Sequence, residues 1–160
     1  MNKELELQLV EKYPKILQDY GGDMKKTCMH WGMECGDGWY DLLDGLLAKL
    51  DYISTASGVQ VIADQIKEKF GTLRFYYHEV RTDSAPLLVY DIIDDIVSIA
   101  EKRSASVCEK TGKAGVLCSR FGYLGTLCKK EAENEGFVPV DPKIAKYWDK
   151  LDNKSLNEDS

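Results

Sequence analysis

From Ser84 to about Ser104 apolar side chains recur at Leu88, Ile92, Ile96 and Ile99, with Val89, Ile93, Val97 and Ala100 beside them. Steps of three and four place these on one broad helical face, and Pro86 suits the first turn. The polar side of this helix is acidic. A face this wide needs other elements to cover it, because an isolated helix gains little without packing. Two segments offer cover. From Trp39 to about Tyr52 the apolar residues Trp39, Leu42, Leu43, Leu46, Leu47 and Leu50 again fall at helical spacing. Val59, Val61, Ala63 and Gln65 share one parity instead, and Thr72-Leu73-Arg74-Phe75-Tyr76-Tyr77 is dense in strand formers. These predict a β-hairpin turning at 69–72. The expected fold class is α+β: a small antiparallel hairpin or sheet against three or four helices, followed by a cysteine-bearing C-terminal knuckle.

Leu5, Leu9, Val10 and Tyr13 predict a helix over 3–13, and Pro14 either kinks it or starts a second short helix carrying Ile16, Leu17 and Tyr20. The glycine-rich stretch 27–38 reads as a structured loop, with Asp37 placed to cap the helix after it. Beyond the acidic helix, Val107-Cys108 and Val116-Leu117-Cys118 bracket a turn over 110–115, and a short helix is expected from Lys129 to Glu135. Residues 143–151 offer Ile144, Tyr147, Trp148 and Leu151 as an anchor face, and a polar, frayed tail is expected from Asp152. The expected organisation is one compact domain over 1–135, with the knuckle at 104–132, and a partly flexible extension over 136–160.

A chain of 160 residues can bury a core without disulfides. Its five cysteines are an odd number, and the N-terminus lacks the basic-then-apolar layout of a signal peptide, so reduced thiols or metal ligands are expected, in the cytoplasm. No run approaches the length of a membrane span. The net charge of −6 disfavours general binding to nucleic-acid backbone. Charge is uneven, however. From Ser84 to Glu101 the acids Asp91, Asp94, Asp95 and Glu101 meet no base, whereas from Lys102 to Lys130 seven bases meet only Glu109, making the knuckle basic.

Three segments together resemble a family of small proteins encoded by tailed phages and prophages: Glu34-Cys35-Gly36-Asp37-Gly38-Trp39, Lys67-Glu68-Lys69-Phe70-Gly71-Thr72-Leu73-Arg74-Phe75-Tyr76, and Ser104 to Cys128. The resemblance covers roughly residues 30–132. It implies a phage origin and a shared fold, and no mechanism. The family's knuckle carries C-x-x-C on a turn and C-x-x-H at a helix start, as in a treble-clef zinc finger. Here Cys108 and Cys128 hold the first position of each pair, but Thr111 and Glu131 replace the second cysteine and the histidine. Structural zinc takes four Cys or His ligands. Zinc is therefore the one candidate cofactor, held by Cys108, Cys118 and Cys128 if at all; the alternative is a metal-free knuckle whose cysteines pack as small apolar residues.

Asp37, Trp39, Lys69, Arg74 and Tyr76 mix aromatic and charged groups of the kind that dominates binding surfaces. The bland alternative is a helix cap at Asp37 and a solvated hairpin face. Asp94 and Asp95 either solvate the acidic helix or let it imitate nucleic acid. Cys28 or Cys35 with His30 is the one conceivable nucleophile and base and lacks a third orienting group, and Cys28, His30 and Cys35 as a second metal site lack a fourth ligand. No phosphate-binding loop, Ser-His-Asp order or H-E-x-x-H helix is present. The expectation is a non-catalytic phage accessory protein that binds a host protein, with interference in host defence as the setting. The first alternative is a nucleic-acid or nucleotide binder using Arg103, Lys110, Lys113 and Arg120 with Phe121 or Tyr123. The second is a cysteine-dependent enzyme. Oligomeric state stays open.

Overall fold

A computed structural model describes the backbone of residues 1–158 and the side chains of residues 1–151. The expected frayed tail from Asp152 therefore lies largely outside the described residues. Helix α1, Lys3–Lys12, starts where the Asn2 side chain accepts the Leu5 N–H at 3.0 Å. It stops short of Pro14, whose ring cannot continue it. Neither a kink nor a second helix follows: 14–20 is a string of turns that buries Ile16 and Leu17. The glycine-rich loop holds two short 3-10 turns, Cys28–Trp31 and Asp37–Trp39, around a two-residue strand, β1 (Met33–Glu34). Two residues carry no periodicity, so this strand left no signal in the sequence.

Helix α2, Tyr40–Ser57, ends at Gly58 in the left-handed conformation. Strands β2 (Gln60–Lys69) and β3 (Thr72–Val80) pair antiparallel as expected, with a register shift at Asp64, and β1 joins β2 in parallel. Helix α3, Leu87–Ser104, follows Pro86, which stands just ahead of its first turn. The helices share one core with Ile66, Leu73 and Phe75 from the sheet, built from Leu43, Leu46, Leu47 and Leu50 of α2 and Ile93 and Val97 of α3. Since β3 is an edge strand, its outward N–H groups need acceptors. Helix α3 supplies them: Ser104 Oγ accepts the Leu73 N–H at 2.8 Å and Glu101 Oε1 the Phe75 N–H at 2.9 Å.

The knuckle is a second sheet in the order β5-β4-β6, from β4 (Val116–Arg120), β5 (Tyr123–Leu127) and β6 (Val138–Pro139). Helices α4, Lys129–Glu135, and α5, Pro142–Glu158, complete the chain. Cys108, Cys118, Leu127 and Ala132 form a small separate core, against which Phe137 and Trp148 pack. Residues 137–148 thus belong with the knuckle, where the sequence suggests an extension. The knuckle is fixed to the main body at 36–39: Gly38 N–H donates to Glu109 O at 2.7 Å, Gly36 N–H to Glu109 Oε1 at 2.8 Å and Trp39 Nε1 to Val107 O at 2.9 Å. At the hairpin end, Thr126 Oγ1 donates to Gly71 O at 2.6 Å.

Candidate functional site

The two antiparallel hairpins end alike. Lys69 pairs with Thr72 around Phe70-Gly71, and Arg120 pairs with Tyr123 around Phe121-Gly122. Each loop is two residues long with both φ angles positive, at 55° and 82° in the first and 50° and 85° in the second. Such turns match the twist of the strands and normally carry Asn-Gly, because a bulky residue is strained at positive φ. Both phenylalanines are the strained residues, and both face solvent, Phe70 at 68% and Phe121 at 96% exposure. The fold gains little burial from the Phe70 ring and almost none from that of Phe121.

The two hairpins meet at a cleft of about 300 Å³, lined by Glu68 from one and by Tyr123 and Leu124 from the other, with Glu109, Lys110 and Arg120 at its walls. Gly71 sits tight against Leu117; a Cβ there would lie 2.5 Å from its side chain. Burial, with Glu68 nearby, raises the Glu109 carboxyl above the usual carboxylate range, against the Gly36 N–H that lowers it. Lys110 pairs with Glu135 at 3.2 Å, and Arg120 Nη1 donates to the Glu135 carbonyl at 2.5 Å while its guanidinium covers the Phe137 ring at 4.9 Å. These two bases are therefore held by groups of the knuckle itself.

Lys69, Arg74 and Tyr76 do share a neighbourhood, on the side of the β2–β3 sheet away from the helices. There Lys67 opposes Arg74, and Gln65 opposes Tyr76. Arg74 folds back onto Thr72 Oγ1 at 2.6 Å and Leu73 O at 2.8 Å, while Tyr76 is exposed. Asp37 and Trp39 do not join them. Trp39 is wholly buried in the main core. Asp37 does not cap a helix; its carboxylate accepts the Asn2 N–H at 2.7 Å and Nδ2–H at 2.9 Å, which hold it below the usual carboxylate range. Asp94 accepts the Tyr77 hydroxyl, and Asp95 is free on the surface of α3. Arg103 lines a groove between α2 and α3, Lys113 lies on the exposed 110–115 turn, and Arg120 borders the cleft.

Burial would raise the thiol of Cys108, but hydrogen bonds from the Thr111 hydroxyl and from the backbone N–H groups of Cys128, Thr111 and Lys110 outweigh it, and its pKa falls. Thr111 Oγ1 also lies 3.8 Å from Cys128 Sγ. Backbone N–H groups of 110, 111 and 128 thus gather round the Cys108 sulfur. Among the described residues no group of three or more His, Cys, Asp or Glu is placed to hold a metal ion. Burial pushes the Cys118 thiol to about 11 and the Cys35 thiol to about 12, which deprives both of nucleophilicity at neutral pH. His30 donates from Nδ1 to Gly22 O at 2.6 Å.

Phe70 is the site residue that sequence reasoning passed over. Its signal was available as a repeat, since Lys69-Phe70-Gly71-Thr72 and Arg120-Phe121-Gly122-Tyr123 share one pattern of base, phenylalanine, glycine and hydroxyl side chain. Among the described residues no helix is long and apolar enough to cross a membrane. A scan against protein-family models found no match, and searches of curated proteins and of solved structures found none either.

Proposed function

We propose that the chain is a non-catalytic binding protein that engages another protein through the rim formed by its two hairpin tips, Phe70 and Phe121, with Tyr123, Lys69 and Tyr76 flanking them. One observation carries this reading: both tips hold an exposed phenylalanine where its backbone is strained and where asparagine would be easier. Strain and exposure together cost the free chain stability, and exposed aromatic rings beside basic groups are what protein interfaces bury. The setting suggested by the phage resemblance is an accessory protein in the host cytoplasm, acting on a host factor and interfering with host defence.

Nucleic-acid binding by the knuckle is the second reading, favoured by the exposure of Phe121 and of Tyr123. Against it stand the internal partners of Lys110 and Arg120. The test is affinity capture from host lysate with the wild type and with the Phe70→Asn, Phe121→Asn double variant, followed by identification of the bound material. The expected result is one protein retained by the wild type and lost by the double variant, although that variant is more stable to urea by about 1 kcal/mol per site. A protein held equally by both would sink the assignment to this rim. Capture of nucleic acid whose affinity falls steeply with salt would move the function to the second reading.

A further inference from the structure

Along the outer side of α2 and α3 an apolar strip stays uncovered. Ile99 is 60% exposed, Leu88 65% and Tyr52 77%. Ile92 and Ile96 lie between them, and two hollows of about 300 and 390 Å³, which share Lys49 and Ile96, follow the strip. Gly45 lines this groove in the middle of α2. A glycine inside a helix costs about 1 kcal/mol relative to alanine. Nothing in the chain requires it there, since a Cβ at 45 would meet no atom within 4 Å. Bare backbone in an apolar groove does allow another helix to approach closely.

The charges bordering the groove identify the occupant. Asp41, Lys49 and Arg103 line the groove, and Asp91, Asp95 and Lys102 are exposed on α3, so three acids and three bases share this region although the chain carries −6. On the outward side of α3, Asp91 and Asp95 lie in the N-terminal half and Lys102 and Arg103 at the C-terminal end, while Glu101 is engaged with β3. Antiparallel pairing of α3 with its own copy, about a twofold axis crossing near its middle, brings Lys102 and Arg103 of each copy alongside Asp91 and Asp95 of the other. That is the self-complementarity a twofold interface requires. We propose that the α2–α3 groove is the docking site for a second copy of this chain, the two helix pairs packing into a four-helix layer. The face is separate from the hairpin rim, so a dimer would present two rims.

Sedimentation equilibrium on the full chain tests this across concentrations up to roughly 0.1 mM. The wild type is expected to dimerise reversibly. Ile99→Glu should weaken association more than about thirtyfold by placing a carboxylate in the buried strip. Asp91→Arg and Arg103→Glu should each weaken it. Their equimolar mixture should regain part of it, because both 91–103 contacts between the two variants again join opposite charges. Circular dichroism melts verify that each variant folds. A monomeric wild type throughout the range overturns the proposal, including the case in which the groove serves a foreign protein. So does a dimer indifferent to Ile99→Glu, or a mixture that associates no better than its components.

Discussion

At the scale of single residues, the side chains with the most to say are those whose partners lie far away in the sequence. Asp37 precedes a helix and therefore reads as its cap, yet it holds Asn2 at the start of α1. Glu6 reads as a solvated position on the same helix but is buried, accepting the Met33 N–H at 2.8 Å and the Tyr20 hydroxyl. Short-range pattern assigns a polar residue to solvent or to a cap; only the fold reveals that a distant donor has taken it. The Asp37 carboxyl is held below its ordinary value, so its contribution to stability is present in full above that value and is lost as the pH falls through the lower, folded-state pKa. Asp37→Asn should therefore destabilise the chain at neutral pH and flatten the acid limb of its stability curve. Urea midpoints taken between pH 7 and pH 3 measure this, and identical curves for both proteins would show that the bond to Asn2 does not matter to the fold.

At the scale of elements, the long periodic segments were legible and the short ones were not. The helical spacing over 84–104 and 39–52, and the β-formers of 72–77, translate directly into α3, α2 and β3. Strand β1 and the Phe121-Gly122 hairpin escape such reading because two residues have no period and the five-residue strands Val116–Arg120 and Tyr123–Leu127, with Ser119 and Gly125 inside them, alternate weakly. How α3 meets β3 was equally hidden. Ser104 looks like a helix-ending serine, but it is fully buried and its Oγ accepts the Leu73 N–H while donating to Glu101 O. Removing that hydroxyl leaves a buried strand N–H without an acceptor, a cost of about 1–3 kcal/mol. Ser104→Ala is expected to lose that much in urea unfolding. Glu101→Gln, which keeps a carbonyl oxygen for the Phe75 N–H, should lose clearly less. Equal losses would mean that α3 stabilises β3 by packing alone.

At the scale of the whole molecule, two cores of unequal size must hold together. The knuckle core contains four buried residues, Cys108, Cys118, Leu127 and Ala132, few for a unit that must stand alone. Contact with the main body should help to order it, and at Gly38 that contact is backbone against backbone. A Cβ at Gly38 would lie 2.4 Å from Cys108 O, 2.4 Å from Gly112 N and 2.6 Å from Thr111 N, none of which is the end of a flexible side chain. Gly38 does not have a positive φ, so alanine is strained here only by what it touches. Gly38→Ala should thus pry the knuckle from 36–39, breaking the hydrogen bonds to Glu109 and straining the Trp39 bond to Val107. The expected loss is about 2–3 kcal/mol, the scale of overpacking in a close-packed interior. Amide exchange should accelerate through 108–128 more than in β2 and β3, and Cys108 should become open to thiol reagents. Gly45→Ala, where there is room for the methyl group, serves as the control and should leave the knuckle's exchange unchanged. If Gly38→Ala instead loosens both sheets together, the two cores form a single cooperative unit; if it loosens neither, the 36–39 contact is not what orders the knuckle.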